Sequence, residues 1–156
     1  MKLRLIPAEQ MDENRLKQVH VAPSQIHFIE TVQECLDDAS ANREWHPCGI
    51  FDQDLLVGFL MIGYISSEKR LWFDRFMIDQ RYQHRGYGKT TFRYVLDECF
   101  RHEDVQEVYL SLYEDNQVAW KMYESFGFRI NGELDTKGEK IMVLTRNDFC
   151  LNNYNS

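Results

Sequence analysis

Breakers of regular structure are scarce in this sequence. Its 156 residues include three prolines and eight glycines, and no stretch is rich in Pro, Gly or Ser. That excludes collagen-like, low-complexity and linker-dominated chains. It leaves one domain, residues 1–151, with 152–156 as a loose C-terminal tail. Cysteine is sparse as well. Cys35, Cys48, Cys99 and Cys150 are far apart and form no C-x-x-C pair, and the five histidines are scattered. No metal-ligand spacing results, so no metal is expected. Cys35 and Cys99 fall on apolar-patterned helices, which predicts buried free thiols in a reducing compartment.

Long apolar runs are also missing. None approaches the ~20 residues of a membrane span, and Met1–Gln10 has no signal-peptide core. A cytoplasmic protein with no membrane partner is expected. Positive charge is in deficit too: 18 Lys and Arg stand against 25 Asp and Glu, for a net charge of −7. Nucleic-acid binding needs a basic surface to neutralise phosphates, so no nucleic-acid partner is expected. An acidic protein attracts small cations instead.

What is present is a regular alternation of strand and helix signals. Lys2–Ile6 alternates apolar and polar, and residues 8–17 fit a short helix. Ser24 is a candidate N-cap for a helix carrying Ile26, Ile29 and Leu36. Trp45–Phe51 and Leu55–Tyr64 read as a hairpin around Asp52-Gln53-Asp54, and Leu71–Asp79 reads as a further strand. In Tyr87–Arg101 the residues Phe92, Val95, Leu96 and Cys99 mark one buried helical face. Val105–Tyr113 is a strand, and Gln117–Phe126 is a helix with Asp115 or Asn116 as cap and Gly127 as its stop. Phe128–Leu134 and Lys140–Thr145 close the chain as a hairpin. This order predicts an α/β fold: a mixed, mostly antiparallel sheet, helices on both faces, and a central β-α-β unit with a parallel pairing.

The most informative stretch is Gln83-His84-Arg85-Gly86-Tyr87-Gly88-Lys89, between a strand and a helix. Two glycines one residue apart let backbone approach a ligand closely. The free N–H groups and positive dipole end of the next helix suit a phosphate or pyrophosphate. Arg85 and Lys89 add positive charge. The P-loop pattern fails because Gln83 stands where its first glycine belongs, and the dinucleotide pattern fails because Thr91 replaces its third. A tight turn into a helix would also account for the two glycines.

Gln83-x-x-Gly86-x-Gly88 resembles the [QR]xxGx[GA] acetyl-CoA motif of the GNAT (Gcn5-related N-acetyltransferase) superfamily. Asn116-x-x-Ala119-x-x-Met122-Tyr123-x-x-x-Gly127-Phe128 resembles a second signature of that superfamily, NxxAxxLYxxxGF, with Met for Leu as its departure. Asn116 and Tyr123, two helical turns or ~10 Å apart on one face, can look into the same cleft. The resemblance implies the GNAT fold and an acetyl-CoA co-substrate. It implies that Gln83, His84, Arg85, Gly86, Tyr87, Gly88 and Lys89 take the pyrophosphate, and that Phe76, Met77 and Ile78 pair with the pantetheine arm as an added strand would. It further implies that Asn116 contacts that arm and that Tyr123 protonates the departing thiolate. A homodimer is expected on the same ground.

The implied chemistry is attack of a neutral amine on the acetyl carbonyl, with the N–H near Met77 or Ile78 facing the oxyanion. Asp74, on the strand before the loop, is the candidate general base; a structural ion pair with Arg75 is its alternative role. Glu44 and His46 are further candidates. Glu30, Glu34 and Asp37 fall at helical spacing beside Asp38. This carboxylate stripe fits either a polycation or an ordinary solvated face. Trp45 is a candidate for cation–π contact with an amine chain or, alternatively, a buried sheet aromatic. The runs Val21–Gln25, Trp45–Asp52 and Phe73–Asp79 resemble the bacterial spermine/spermidine acetyltransferase branch. That resemblance implies a small-molecule amine acceptor, a polyamine such as spermidine or spermine. Aminoglycosides, amino acids, protein N-termini and a non-catalytic acetyl-CoA sensor are the alternatives.

Overall fold

The computed structural model describes residues 1–154. Seven strands form one sheet in the order β1-β2-β3-β4-β5-β7-β6. They are β1 (Leu3–Pro7), β2 (Trp45–Asp52), β3 (Leu55–Ile65), β4 (Arg70–Ile78), β5 (Glu107–Leu112), β6 (Arg129–Leu134) and β7 (Lys140–Thr145). The helices are α1 (Glu13–Leu16), α2 (Val32–Ala41), α3 (Tyr87–Arg101), α4 (Gln117–Phe126) and α5 (Arg146–Tyr154). Every strand pair is antiparallel except β4–β5, the parallel pair joined through α3. The expected mixed sheet and central β-α-β unit are therefore present.

Alternation along β2 and β3 sends side chains to two buried clusters. Phe51, Leu56, Phe59 and Met61 pack with Leu16 of α1 and with Val32, Cys35 and Leu36 of α2. Ile50, Val57 and Leu60 pack with Phe92, Val95 and Leu96 of α3, Phe126 of α4 and Phe149 of α5. Helices thus cover both faces of the sheet, as the sequence pattern requires.

Three boundaries differ from expectation. The helix expected over residues 8–17 is a 3-10 turn at Ala8–Gln10, followed by α1; Asp12 starts α1 by accepting from Asn14 N at 3.0 Å. The helix expected after Ser24 begins only at Val32. Ser24 lies in a 3-10 turn, and Thr31 is the true cap, forming a capping box with Glu34. The tail expected to be loose from residue 152 continues α5 through residue 154; residues 155 and 156 lie outside the described residues. Tertiary contact explains α5. Phe149 stacks on Phe100 with ring centroids 4.9 Å apart, and Arg146 donates to the carbonyls of Phe100 and His102 at the end of α3 and of Val105 in the segment that follows.

Candidate active site

The parallel pair β4–β5 is joined only at Leu71–Val108 and Trp72–Tyr109. Beyond those pairs β4 runs on to Ile78 and β5 to Leu112, and the strands part. A cleft of about 280 Å³ lies between them. Asp74–Ile78 form one wall and Ser111–Leu112 the other; Asn116, Ala119, Met122 and Tyr123 of the α4 region and Glu139 also line it.

A bulge shapes the β4 wall. Met61 pairs with Asp74 and Phe59 with Met77, so Leu60 faces both Arg75 and Phe76. Arg75 takes the left-handed conformation, φ 55°. A bulge leaves its extra residue outside the ladder and re-aims the neighbouring backbone. On the opposite edge, Gly58 permits the close β3–β4 approach: a Cβ there would come within 2.5 Å of the Met77 carbonyl oxygen.

The loop after β4 is pinned from below. Asp79, almost fully buried, accepts from Arg81 N and Nε at 2.9 and 2.8 Å and from His20 N at 3.2 Å. These bonds, foremost from the Arg81 side chain, outweigh the burial cost and hold its carboxyl below the usual range. Gln83 Nε2 donates to the Ile78 carbonyl and to Gln25 Oε1, both at 2.9 Å. Gly86 caps α3 at φ 86°, a conformation glycine adopts freely. The first N–H groups of α3 follow directly and have no partner in the helix. Gln83, His84 and Gly88 line the cleft; Arg85 and Lys89 are exposed on the helix start and do not. Tyr87 is buried and turns elsewhere, donating to Asp52 Oδ2 at 2.6 Å.

The second motif also lands in the cleft. Asn116 Oδ1 caps α4, accepting from Ala119 N at 3.5 Å. The Tyr123 ring stacks on Phe92 with centroids 5.1 Å apart, and Phe92 in turn meets Phe73, Phe76 and Phe126. The Tyr123 ring is thus packed against the core while the residue lines the cleft. Burial, together with the nearby Asp74 and Glu139 carboxyls, pushes the Tyr123 phenol far up, so it keeps its proton. Asp74 Oδ1 accepts from Arg75 N at 3.0 Å, yet burial pushes its carboxyl up to about 6. The Arg75 side chain points its charge elsewhere: Nε meets Glu30 at 3.2 Å and Nη1 meets Asp38 at 3.1 Å.

The acidic stripe is not one helical face. Glu30 precedes α2, lines the cleft and is held by Arg75 and by Lys137 from the β6–β7 turn. Glu34 lies off the cleft and accepts from Thr31 N and Oγ1 at 3.2 and 3.0 Å. Trp45 is half-buried at the start of β2, against the clusters on both sides, and does not line the cleft. Neither Glu44, which accepts from Ser66 N at 3.0 Å, nor His46 reaches it. Glu139 and Ser111 were missed. No linear motif carries them; the pairing of β7 against β5 delivers them.

The sheet is thus split between two parallel strands, with a glycine-led helix start beside the cleft and Tyr123 and Asp74 among its lining residues. The model of the acetyltransferase (GNAT) family matches residues 12–128, and the chain belongs to that family. It is an acetyltransferase. The spermine/spermidine N(1)-acetyltransferase of Bacillus subtilis strain 168 is 39% identical over 140 residues, which cover 85% of this chain and 92% of that protein. The crystal structure of a spermidine N-acetyltransferase from Vibrio cholerae, in complex with CoA and spermine, superposes with a TM-score of 0.72 at 17% identity, covering 96% of this chain and 98% of that one. The aminoglycoside acetyltransferase AAC(6')-Ib, in complex with coenzyme A, gives 0.77 at 19% identity over 96% and 97%. These two structures share the fold.

Proposed function

We propose that this acetyltransferase uses acetyl-CoA, in the cytoplasm, to acetylate a primary amine of a polyamine such as spermidine or spermine. The observation that carries the reading is Tyr123 beside Asp74 where β4 and β5 part. The start of α3, from Gln83 to Gly88, takes the pyrophosphate through its free N–H groups. The unpaired edge of β4 at Phe76–Ile78 takes the pantetheine arm as an added strand, with Asn116 on its far side. The thioester then lies between the re-aimed backbone of β4 and Tyr123. The N–H near Met77 or Ile78 stabilises the oxyanion, and Tyr123 returns a proton to sulfur.

Asp74 binds the acceptor's ammonium and prepares it for attack. Its carboxyl, held near 6, is ionised at neutral pH and basic enough to share a proton. Glu30 adds negative charge at the mouth, though Arg75 and Lys137 already engage it. The polyamine choice is supported by the 39% identical Bacillus subtilis relative and by the net charge of −7.

The test is thiol release from acetyl-CoA in the presence of spermidine, spermine, an aminoglycoside, free amino acids or a short peptide. Release with the polyamines alone is expected. Release with another amine would keep the chemistry and discard the acceptor. Tight acetyl-CoA binding without release for any of them would favour a sensor.

A further inference from the structure

Glu139 stands immediately before β7 and reaches the cleft from the β5–β7 side. Both ends of the residue are fixed. Ser111 Oγ donates to Glu139 Oε2 at 3.0 Å, and Glu139 N donates to Asp135 Oδ1 at 2.8 Å. The titratable groups around it are Asp74 from β4, Tyr123 from α4 and Asp135 from the β6–β7 turn. The cation of that turn, Lys137, is taken by Glu30. Arg75, the cation next to Asp74, is taken by Glu30 and Asp38. Asp74 and Glu139 thus share the cleft, and among the described residues no side-chain cation is ion-paired with either.

Like charges in one poorly hydrated site do not both ionise readily. Burial, then a side-chain hydrogen bond with Asp135, then the nearby Asp74 charge raise Glu139 to about 8. An arriving ammonium would relieve the repulsion, so a cationic acceptor fits better than a neutral one.

We propose that Glu139 is a second proton-accepting group of this reaction, forming with Asp74 a carboxyl pair that binds the acceptor's terminal ammonium and takes its proton. The inference rests on the acetyl-transfer reading of the cleft. The pair takes one proton from the ammonium. The freed nitrogen lone pair bonds to the acetyl carbonyl carbon, and the C–S bond breaks with its electrons going to sulfur. Sulfur receives the Tyr123 phenol proton, and the surplus proton on nitrogen returns to the Tyr123 oxygen. The pair releases its own proton to water. Ammonium and thioester become amide, thiol and one proton.

The experiment compares wild type, Glu139→Gln, Asp74→Asn and the double variant in thiol release with spermidine, across pH, alongside acetyl-CoA affinity by calorimetry. Absence of wild-type turnover with any amine would sink the acetyl-transfer reading itself. With an active wild type, Glu139→Gln is expected to lose about 100-fold in kcat, as removal of a proton-transfer group does. Its acetyl-CoA affinity stays within a few-fold, which also reports a folded cleft. The acidic limb of its pH profile moves. The double variant is no worse than the poorer single one, because groups acting as a unit are not additive. An alkoxyamine acceptor, neutral at pH 7, narrows the defect. Glu139→Gln within twofold of wild type, an equal defect with the alkoxyamine, or losses that multiply in the double variant would each overturn the proposal.

Discussion

Tyr87 Oη donates a 2.6 Å hydrogen bond to Asp52 Oδ2, tying the first residue of α3 to the last of β2. Asp52 Oδ1 also accepts from Lys2 N at 2.9 Å, so one carboxylate joins β1, β2 and the start of α3. These bonds hold Asp52 below the usual carboxylate range, the Lys2 backbone bond first. Tyr87→Phe removes the α3 link and leaves the ring packed. A lower Tm and a few-fold weaker acetyl-CoA affinity are expected, from thermal unfolding and calorimetry. Affinity equal to wild type would show that the helix start holds its place without this tie.

Tyr123→Phe keeps the stacking on Phe92 and removes the proton. A kcat loss of about 100-fold or more is expected, with acetyl-CoA affinity within a few-fold. Steady-state thiol release and calorimetry separate the two. Unchanged turnover would remove Tyr123 from the acid role.

Gly86→Val strains the loop through its backbone rather than through a clash. A Cβ at Gly86 meets only Met1 Cε, at 3.7 Å, but φ 86° is hostile to a β-branched residue. A stability loss of about 1–3 kcal/mol is expected, with acetyl-CoA binding abolished. Denaturant unfolding gives the first and calorimetry the second. Normal binding by a folded variant would relocate the pyrophosphate.

Asp74 gives a stability prediction of defined sign. Its carboxyl is raised from 3.8 to about 6 on folding, so the native state holds more protons than the unfolded chain between those values. Stability therefore falls as pH rises through that window and does not recover above it. Asp74→Asn has no such penalty and keeps an oxygen for Arg75 N. It is expected to unfold about 1–3 kcal/mol harder than wild type at pH 7.5 and to match it near pH 4. Urea unfolding at the two pH values checks this. A variant less stable than wild type at pH 7.5 would mean that Asp74 is structurally paired.

Glu30 is the cleft acid whose charge is shared with two cations, Arg75 and Lys137. Glu30→Gln is expected to raise KM for spermidine several-fold with little change in kcat. Lys137→Ala is expected to lower that KM by freeing Glu30. Opposite shifts in initial-rate kinetics would assign Lys137 a binding role of its own.

Sequence by itself determined the order of elements as far as β7, the β-α-β unit and the two motifs. Each depends on spacing along one short segment: Gly86 and Gly88 before a helix, Asn116 and Tyr123 on one helical face. It misjudged the stretch from Ser24 to Thr31, because apolar spacing at Ile26 and Ile29 mimics a helix while the capping box that starts one lies later, at Thr31 and Glu34. The acidic stripe failed with it, since Glu30 and Glu34 do not share a helix. The end of the chain was misread for another reason: α5 is held by Phe149 on Phe100 and by Arg146 on the carbonyls ending α3. Only the tertiary structure decided where β4 and β5 part, and that β7 rather than β6 lies against β5. That pairing brings Glu139 and Ser111 to the same cleft as Asp74 and Tyr123. Residues so distant along the chain meet through strand order and burial, and neither is written in local spacing.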